Sequence, residues 1–289
     1  MSAHLLIFGL GYSGKVLARR MLARGWSVSA TVRRAEARAG AEAMGVTPID
    51  PADPVALAQV AGRAKAILVT AAPTERGCPG LAALAPAIAA SGGFPDWIGY
   101  LSTTGVYGDR DGGWVFETSP VSAQSVEGAR RVAAERDWRQ IGRGMGLTVT
   151  AFRLPGIYGP GRSAFDRLRE GTAKRLIKPG HVFSRIHVED LAAGLEASIA
   201  RPRAGGIYNL CDDEAASAAD VTAHAARLLG LPTPPDELFD PARLSPMALR
   251  FYAECKRVSN ARAKAELGWR PLYPTYREGL AAILAAETI

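Results

Sequence analysis

The sequence predicts an α/β fold built on a doubly wound parallel sheet, and three observations carry that expectation. Short apolar segments alternate with helix-patterned ones through the first half of the chain, which is the rhythm of βαβ units. AILVT, WIGYLST and LTVTAFRL are apolar almost throughout, as strands covered on both faces must be, because neither side of such a sheet meets water. GLGYSG joins the first apolar segment to the first helical one.

Taken in order, HLLIFGL reads as a strand, KVLARRMLARG as an amphipathic helix, SVSATVRR as the second strand, AEARAGAEAMG as a helix and KAILVTAAP as a strand. Beyond Pro155 the pattern breaks into Gly and Pro punctuation, GIYGPGR, KPGHVF and GLPTPPDELFDP, which suits a smaller, loop-rich region. The expected organisation is therefore a dinucleotide-binding domain over 1–155 and a C-terminal substrate region over 156–289. Part of about 185–211 is expected to return to the sheet. No internal repeat is present.

Composition narrows the function. With 289 residues and 48% hydrophobic content the chain can bury a full core. No apolar run approaches the roughly 20 residues of a membrane span, and MSAHLLIFGLG has no basic n-region, so a cytoplasmic protein is expected. The net charge of +7 comes largely from arginines interleaved with acids rather than gathered in a stripe, which argues against nucleic acid. A phosphate-bearing ligand would suit that sign. Cys78, Cys211 and Cys255 are far apart and lack metal-ligand spacing, so they read as reduced packing residues, and no metal site is expected.

Gly9, Gly11 and Gly14 carry the G-x-G-x-x-G spacing between strand and helix, with Tyr12 and Ser13 in the same loop. The first glycine permits a tight turn, the second lets backbone approach a pyrophosphate, and the third lets helix and strand pack closely. Such a loop in isolation is also met as a plain turn; the strand before it and the helix after it point to a dinucleotide. The second strand ends in Arg33 and Arg34, where an acidic residue would bind the ribose hydroxyls of NAD. Guanidinium groups there can take a 2′-phosphate, so NADP is the expected cofactor, although two arginines opening a surface helix are also commonly just solvated.

LSTTGVYG, RLPGIYGPGR, RIHVEDLA and AKAELGWRPLYPTYREGL, in this order, resemble the extended short-chain dehydrogenase/reductases, the epimerase/dehydratase branch with a Rossmann fold. The resemblance covers nearly the whole chain. It implies that Thr103 orients a reacting oxygen, with Tyr107 as a candidate proton donor. It also implies that Ala71, Ala72 and Pro73 pass beneath the adenosine side, and that Pro155 and Ile157 lie near the nicotinamide. Arg162 and Arg185 are the implied substrate contacts. Thr104 stands where the dehydratases carry an acid, which disfavours that reaction. His187 and Asp190 are expected to be structural, the carboxylate capping the following helix.

The chain departs from the family twice. Phe8 occupies the first position of the longer G-x-x-G-x-x-G pattern. In SVEGARRVAAE, Glu127 and Arg131 stand where the family carries Tyr and Lys. At i,i+4 spacing these two are expected to form a helix-surface ion pair, so that the proton would come from Tyr107 or from a water held by Thr103. Two functions follow. One is an NADP(H)-dependent oxidoreductase or epimerase on a small polar or nucleotide-linked substrate. The alternative is a non-catalytic, NADP-responsive binding or regulatory protein. LAALAPAIAAS and VAAERDWRQI could form a homodimer interface, and core packing explains the same residues.

Overall fold

The computed structural model describes residues 2–287, which form two compact units that the chain builds by turns. The first unit holds the residues up to Thr103, Val126–Arg153 and Ala192–Tyr208; the second holds Thr104–Ser125, Leu154–Leu191 and the residues from Asn209 onward. A unit boundary falls at 153/154, and residues 192–208 belong to the first unit. Residues 104–125, expected within the first domain, fall in the second unit.

In chain order the elements begin with β1 (His4–Phe8), α1 (Tyr12–Ala23), β2 (Ser27–Thr31), α2 (Ala35–Ala43), β3 (Thr47–Ile49), α3 (Pro54–Arg63), β4 (Ala66–Val69), α4 (Pro79–Ser91) and β5 (Trp97–Thr103). There follow β6 (Trp114–Val115), α5 (Val126–Met145), β7 (Val149–Leu154), β8 (Gly156–Tyr158), α6 (Ala164–Arg169), β9 (Arg175–Ile177), β10 (Arg185–His187), α7 (Val188–Ala200) and β11 (Gly206–Asn209). The chain closes with α8 (Ala218–Leu228), β12 (Asp236–Leu238), α9 (Pro246–Tyr252), β13 (Arg257–Val258), α10 (Ala261–Leu267) and α11 (Tyr276–Glu287).

The first unit is organised by a seven-stranded parallel sheet in the order β11-β7-β5-β4-β1-β2-β3. All residues of β1 and β4 are buried, which is why β4 is an uninterrupted apolar run and β1 is apolar after its first residue, His4. Strand order reverses between β1 and β4, and in doubly wound sheets the crevice beyond the carboxyl ends of the strands at such a reversal is where ligands bind. One core layer gathers Leu6, Ile67, Ile98 and Val149 with Leu57, Leu84 and Trp138 from the helices. Toward the β11 edge, Phe152 packs between Trp97 (6.0 Å between centroids) and Tyr208 (6.2 Å). The edge strand β3 was not apparent as a strand because it is only three residues long and contains Pro48, which an edge tolerates.

The second unit holds three two-stranded parallel pairs, β8 with β10, β9 with β12 and β6 with β13. Its apolar core joins Phe165, Ala225, Ala226, Tyr276, Leu280 and Ile283. Among the described residues no helix is long and apolar enough to cross a membrane, and no three His, Cys, Asp or Glu side chains gather as a metal ion would need. The three cysteines are free thiols.

Candidate dinucleotide site

The glycine loop follows β1 at the reversal of strand order. Gly9 has φ +99°, a conformation costly to any side chain, and its amide donates to Thr31 Oγ1 (2.8 Å) while its carbonyl accepts from Thr70 Oγ1 (2.5 Å). A Cβ on Gly9 would meet Thr70 Oγ1 at 2.7 Å, and one on Gly14 would meet the Gly9 carbonyl at 3.1 Å and Ile7 at 3.3 Å. These two positions are closed by the chain itself. Gly11 is different: a Cβ there would meet nothing within 4 Å. It is the N-cap of α1, which has no side-chain cap and no acidic residue in its first turn. The loop therefore offers open space at the N-terminus of a helix without a side-chain cap, and that fits the diphosphate of a dinucleotide. Thr31 and Thr70, the hydroxyls that hold the loop, carried no sequence signal beyond standing at or just past strand ends.

Arg33 and Arg34 lie just past β2, both exposed, Arg34 as the N-cap of α2. Among the described residues no carboxylate pairs with either. Ala71 adjoins the glycine loop, its amide nitrogen 3.3 Å from where a Gly9 Cβ would stand, and Ala72 and Pro73 continue from it. The cofactor-side residues Gly9 to Gly14, Arg33, Arg34 and Ala71 to Pro73 are thus all found in the first unit, at the carboxyl ends of β1, β2 and β4.

Half-buried Thr103 ends β5. Beneath it the structure holds a network the sequence did not announce. Ser102 Oγ donates to Glu135 Oε1 (2.5 Å), and Glu135 accepts from Arg153 Nη2 (2.8 Å) and Nε (3.2 Å), all three side chains being buried. The expected ion pair of Glu127 with Arg131 does not form. Arg131 turns inward instead, donating through Nη1 to the Leu101 carbonyl and to Tyr100 Oη (3.3 Å), while Glu127 is exposed. The reason lies in the sheet: β4 pairs with β5 only as far as Tyr100, so the guanidinium reaches a carbonyl beyond the end of that ladder. Burial pushes the Tyr100 hydroxyl up to about 12 despite the neighbouring Arg131 cation.

In the second unit Tyr107 is fully buried and donates to Asn209 Oδ1 (2.8 Å), and the Asn209 amides donate to Glu117 (2.9 Å) and to the Ser259 carbonyl (3.1 Å). A hydroxyl committed in this way is poorly placed to deliver a proton to a substrate. Pro155 leads into β8, where Ile157 pairs with Ile186, and Arg162 is exposed in the following turn. Arg185 packs inward, 5.5 Å from the Tyr276 ring centroid, with Nη2 on the Ala216 carbonyl (3.1 Å). Its Nη1 and both oxygens of Asp212 are buried without a hydrogen-bond partner. Burial raises Asp212 to about 8 against the opposing pull of Arg185. Asp190 is structural, as expected, but through the amides of Leu272 (2.6 Å) and Tyr273 (3.0 Å). His187 packs on Tyr158 (5.2 Å) and Tyr273 (4.4 Å), and burial lowers it to about 4.

The sheet order and the open glycine loop define a dinucleotide-binding α/β protein. A model of the NAD dependent epimerase/dehydratase family matches residues 78–211. Protein YeeZ of Escherichia coli K12 is 31% identical over 245 residues, 79% of this chain and 84% of that protein. The chain belongs to the NAD-dependent epimerase/dehydratase family. The 3-diazoavenalumate denitrifying reductase of a Streptomyces species is 33% identical over 171 residues, so the match spans 55% of each protein. A solved structure of a functionally unknown conserved protein from Silicibacter pomeroyi superposes with a TM-score of 0.91 at 47% identity, covering 99% of both chains.

Proposed function

We propose that this chain is a cytoplasmic NADP(H)-dependent oxidoreductase acting on a small polar or nucleotide-linked substrate. The observation that carries the reading is the pair Arg33 and Arg34, exposed past β2 and unpaired with any carboxylate among the described residues. A carboxylate at this point would repel a 2′-phosphate, whereas guanidinium binds it with two parallel hydrogen bonds. The cofactor, when bound, supplies hydride transfer. The chain's own residues would hold it: the N-terminus of α1 would take the diphosphate in the space that Gly11 leaves, and Ala71 to Pro73 would line the adenosine side. Thr103 orients the substrate oxygen, and the proton comes from a water at that hydroxyl, because Tyr107 is committed to Asn209. The relative named as a reductase supports oxidoreduction as the reaction class.

One observation favours a second reading, an NADP-responsive binding protein without turnover: α5 contains neither tyrosine nor lysine. The first test is cofactor choice. At 100 times its dissociation constant, NADP should stabilise the protein by about 2.7 kcal/mol, a rise of roughly 5–10 °C in Tm for a chain of this size. NAD at the same concentration should give less. Arg33→Ala with Arg34→Ala should erase the difference, and equal shifts in the unaltered protein would sink the proposal.

A further inference from the structure

The guanidinium of Arg131 is only half used by the protein. Its Nη1 is spent on the Leu101 carbonyl and Tyr100 Oη, and its Cζ lies 5.7 Å from the Tyr100 ring centroid. Tyr100 is itself immobilised: fully buried in the core layer and packed on Trp138 at 6.4 Å. These contacts fix the orientation of the side chain, and Nε and Nη2 meet no acceptor among the described residues. Neither nitrogen is a buried orphan, so both remain reachable from outside the protein. Leu101 stands two residues before Thr103, past the end of the β4 ladder, toward the carboxyl end of β5, the same end of the sheet from which the glycine loop rises after β1.

A guanidinium with one nitrogen anchored and its Nε/Nη2 edge open presents two roughly parallel N–H donors, the geometry that a planar carboxylate matches oxygen for oxygen. Glu127, the acid in reach by sequence, does not take up that edge, and Glu135 one turn further along α5 is held by Arg153 and Ser102. Among the described residues no carboxylate forms an ion pair with this permanent cation. We infer that Arg131 is a specificity-determining residue that binds a carboxylate of the substrate, so the substrate class of this enzyme is an organic acid whose reducible group is presented to Thr103.

This rests on the oxidoreductase reading, and the test separates the two. Benzoate, with benzamide as its uncharged counterpart, is titrated calorimetrically into the NADPH-loaded protein and into its Arg131→Gln and Arg131→Lys variants, and NADPH affinity is measured for each. Loss of a charged, two-point hydrogen bond should weaken benzoate about ten- to a hundredfold in Arg131→Gln. Arg131→Lys, which retains a donor for the Leu101 carbonyl, should also lose most of it, since a point charge cannot replace the fork. Benzamide should bind weakly and equally to all three, and NADPH affinity should stay within about twofold. Benzoate binding that is absent from the unaltered protein, or unchanged in both variants, overturns the assignment. So does a fall in NADPH affinity matching that of benzoate, which would give the guanidinium to the cofactor. Absence of NADPH binding to the unaltered protein would instead strike the oxidoreductase reading itself.

Discussion

Gly11 and Gly14 stand three residues apart in one motif and meet opposite surroundings. Nothing lies within 4 Å of a Cβ placed on Gly11, whereas one on Gly14 presses on the Gly9 carbonyl at 3.1 Å and on Ile7 at 3.3 Å. The two substitutions should therefore separate binding from folding. Gly11→Val should leave the thermal midpoint of the ligand-free protein near its original value and abolish the shift produced by NADP, because its side chain occupies only the space in front of the loop. Gly14→Ala should cost about 1–3 kcal/mol of stability through overpacking between α1 and β1. Urea unfolding with and without NADP reads both effects, and a Gly11→Val protein still stabilised by NADP would mean that the loop is only a turn. The spacing of the glycines was legible in the sequence. So was a separate part for each glycine; the contact of Gly9 with Thr70 was not, since Thr70 comes to the loop from beyond β4.

Among the elements, the strands were the most legible, because a segment buried on both faces is largely apolar; β1, β4, β5 and β7 announced themselves in this way, although β7 also buries Thr150 and Arg153 against hydrogen-bonding partners. Helix α5 was legible as a helix and misleading as a surface. Spacing of four put Glu127 beside Arg131, but periodicity does not report which donor finds a backbone carbonyl left open at the end of a neighbouring ladder. Nor could it show that Glu135 and Arg153, both 4% exposed at the side chain, form a buried pair joining α5 to β7. Such a pair is costly to desolvate and more costly to break. Glu135→Ala should lose about 3–5 kcal/mol by leaving the Arg153 charge buried without its partner. Replacing both together, as Glu135→Leu with Arg153→Met, should recover much of that loss. Chemical denaturation of the two variants decides it, and a double variant no more stable than the single one would refute the account.

For the whole molecule, buried titratable groups shape the response to pH, His4, His187 and Asp212 among them. His4 and His187 are held down to about 4, both by burial and His4 also by Arg63. The unfolded chain takes up these protons near pH 6.5, before the folded one does, so the stability they confer is complete above 6.5 and is lost as pH falls toward 4. Asp212 works in the other direction. Raised to about 8, it favours the folded state fully below about pH 4, and that contribution disappears as pH rises through 8. Asp212→Asn should therefore gain on the unaltered protein as pH rises from 5 to 9, the difference in Tm widening toward the alkaline end. Parallel melting curves for the two proteins across that range would contradict the buried-acid account. The interleaving of the two units has a consequence for synthesis. The sheet of the first unit is closed at one edge by β11, whose residues 206–209 leave the ribosome only after long stretches of the second unit. Until then β7, a run of six buried residues, is a bare edge able to pair with another nascent chain. Chains arrested before β11 has emerged should thus be the most dependent on chaperones, and the hazard should vanish as residues 206–209 leave the ribosome.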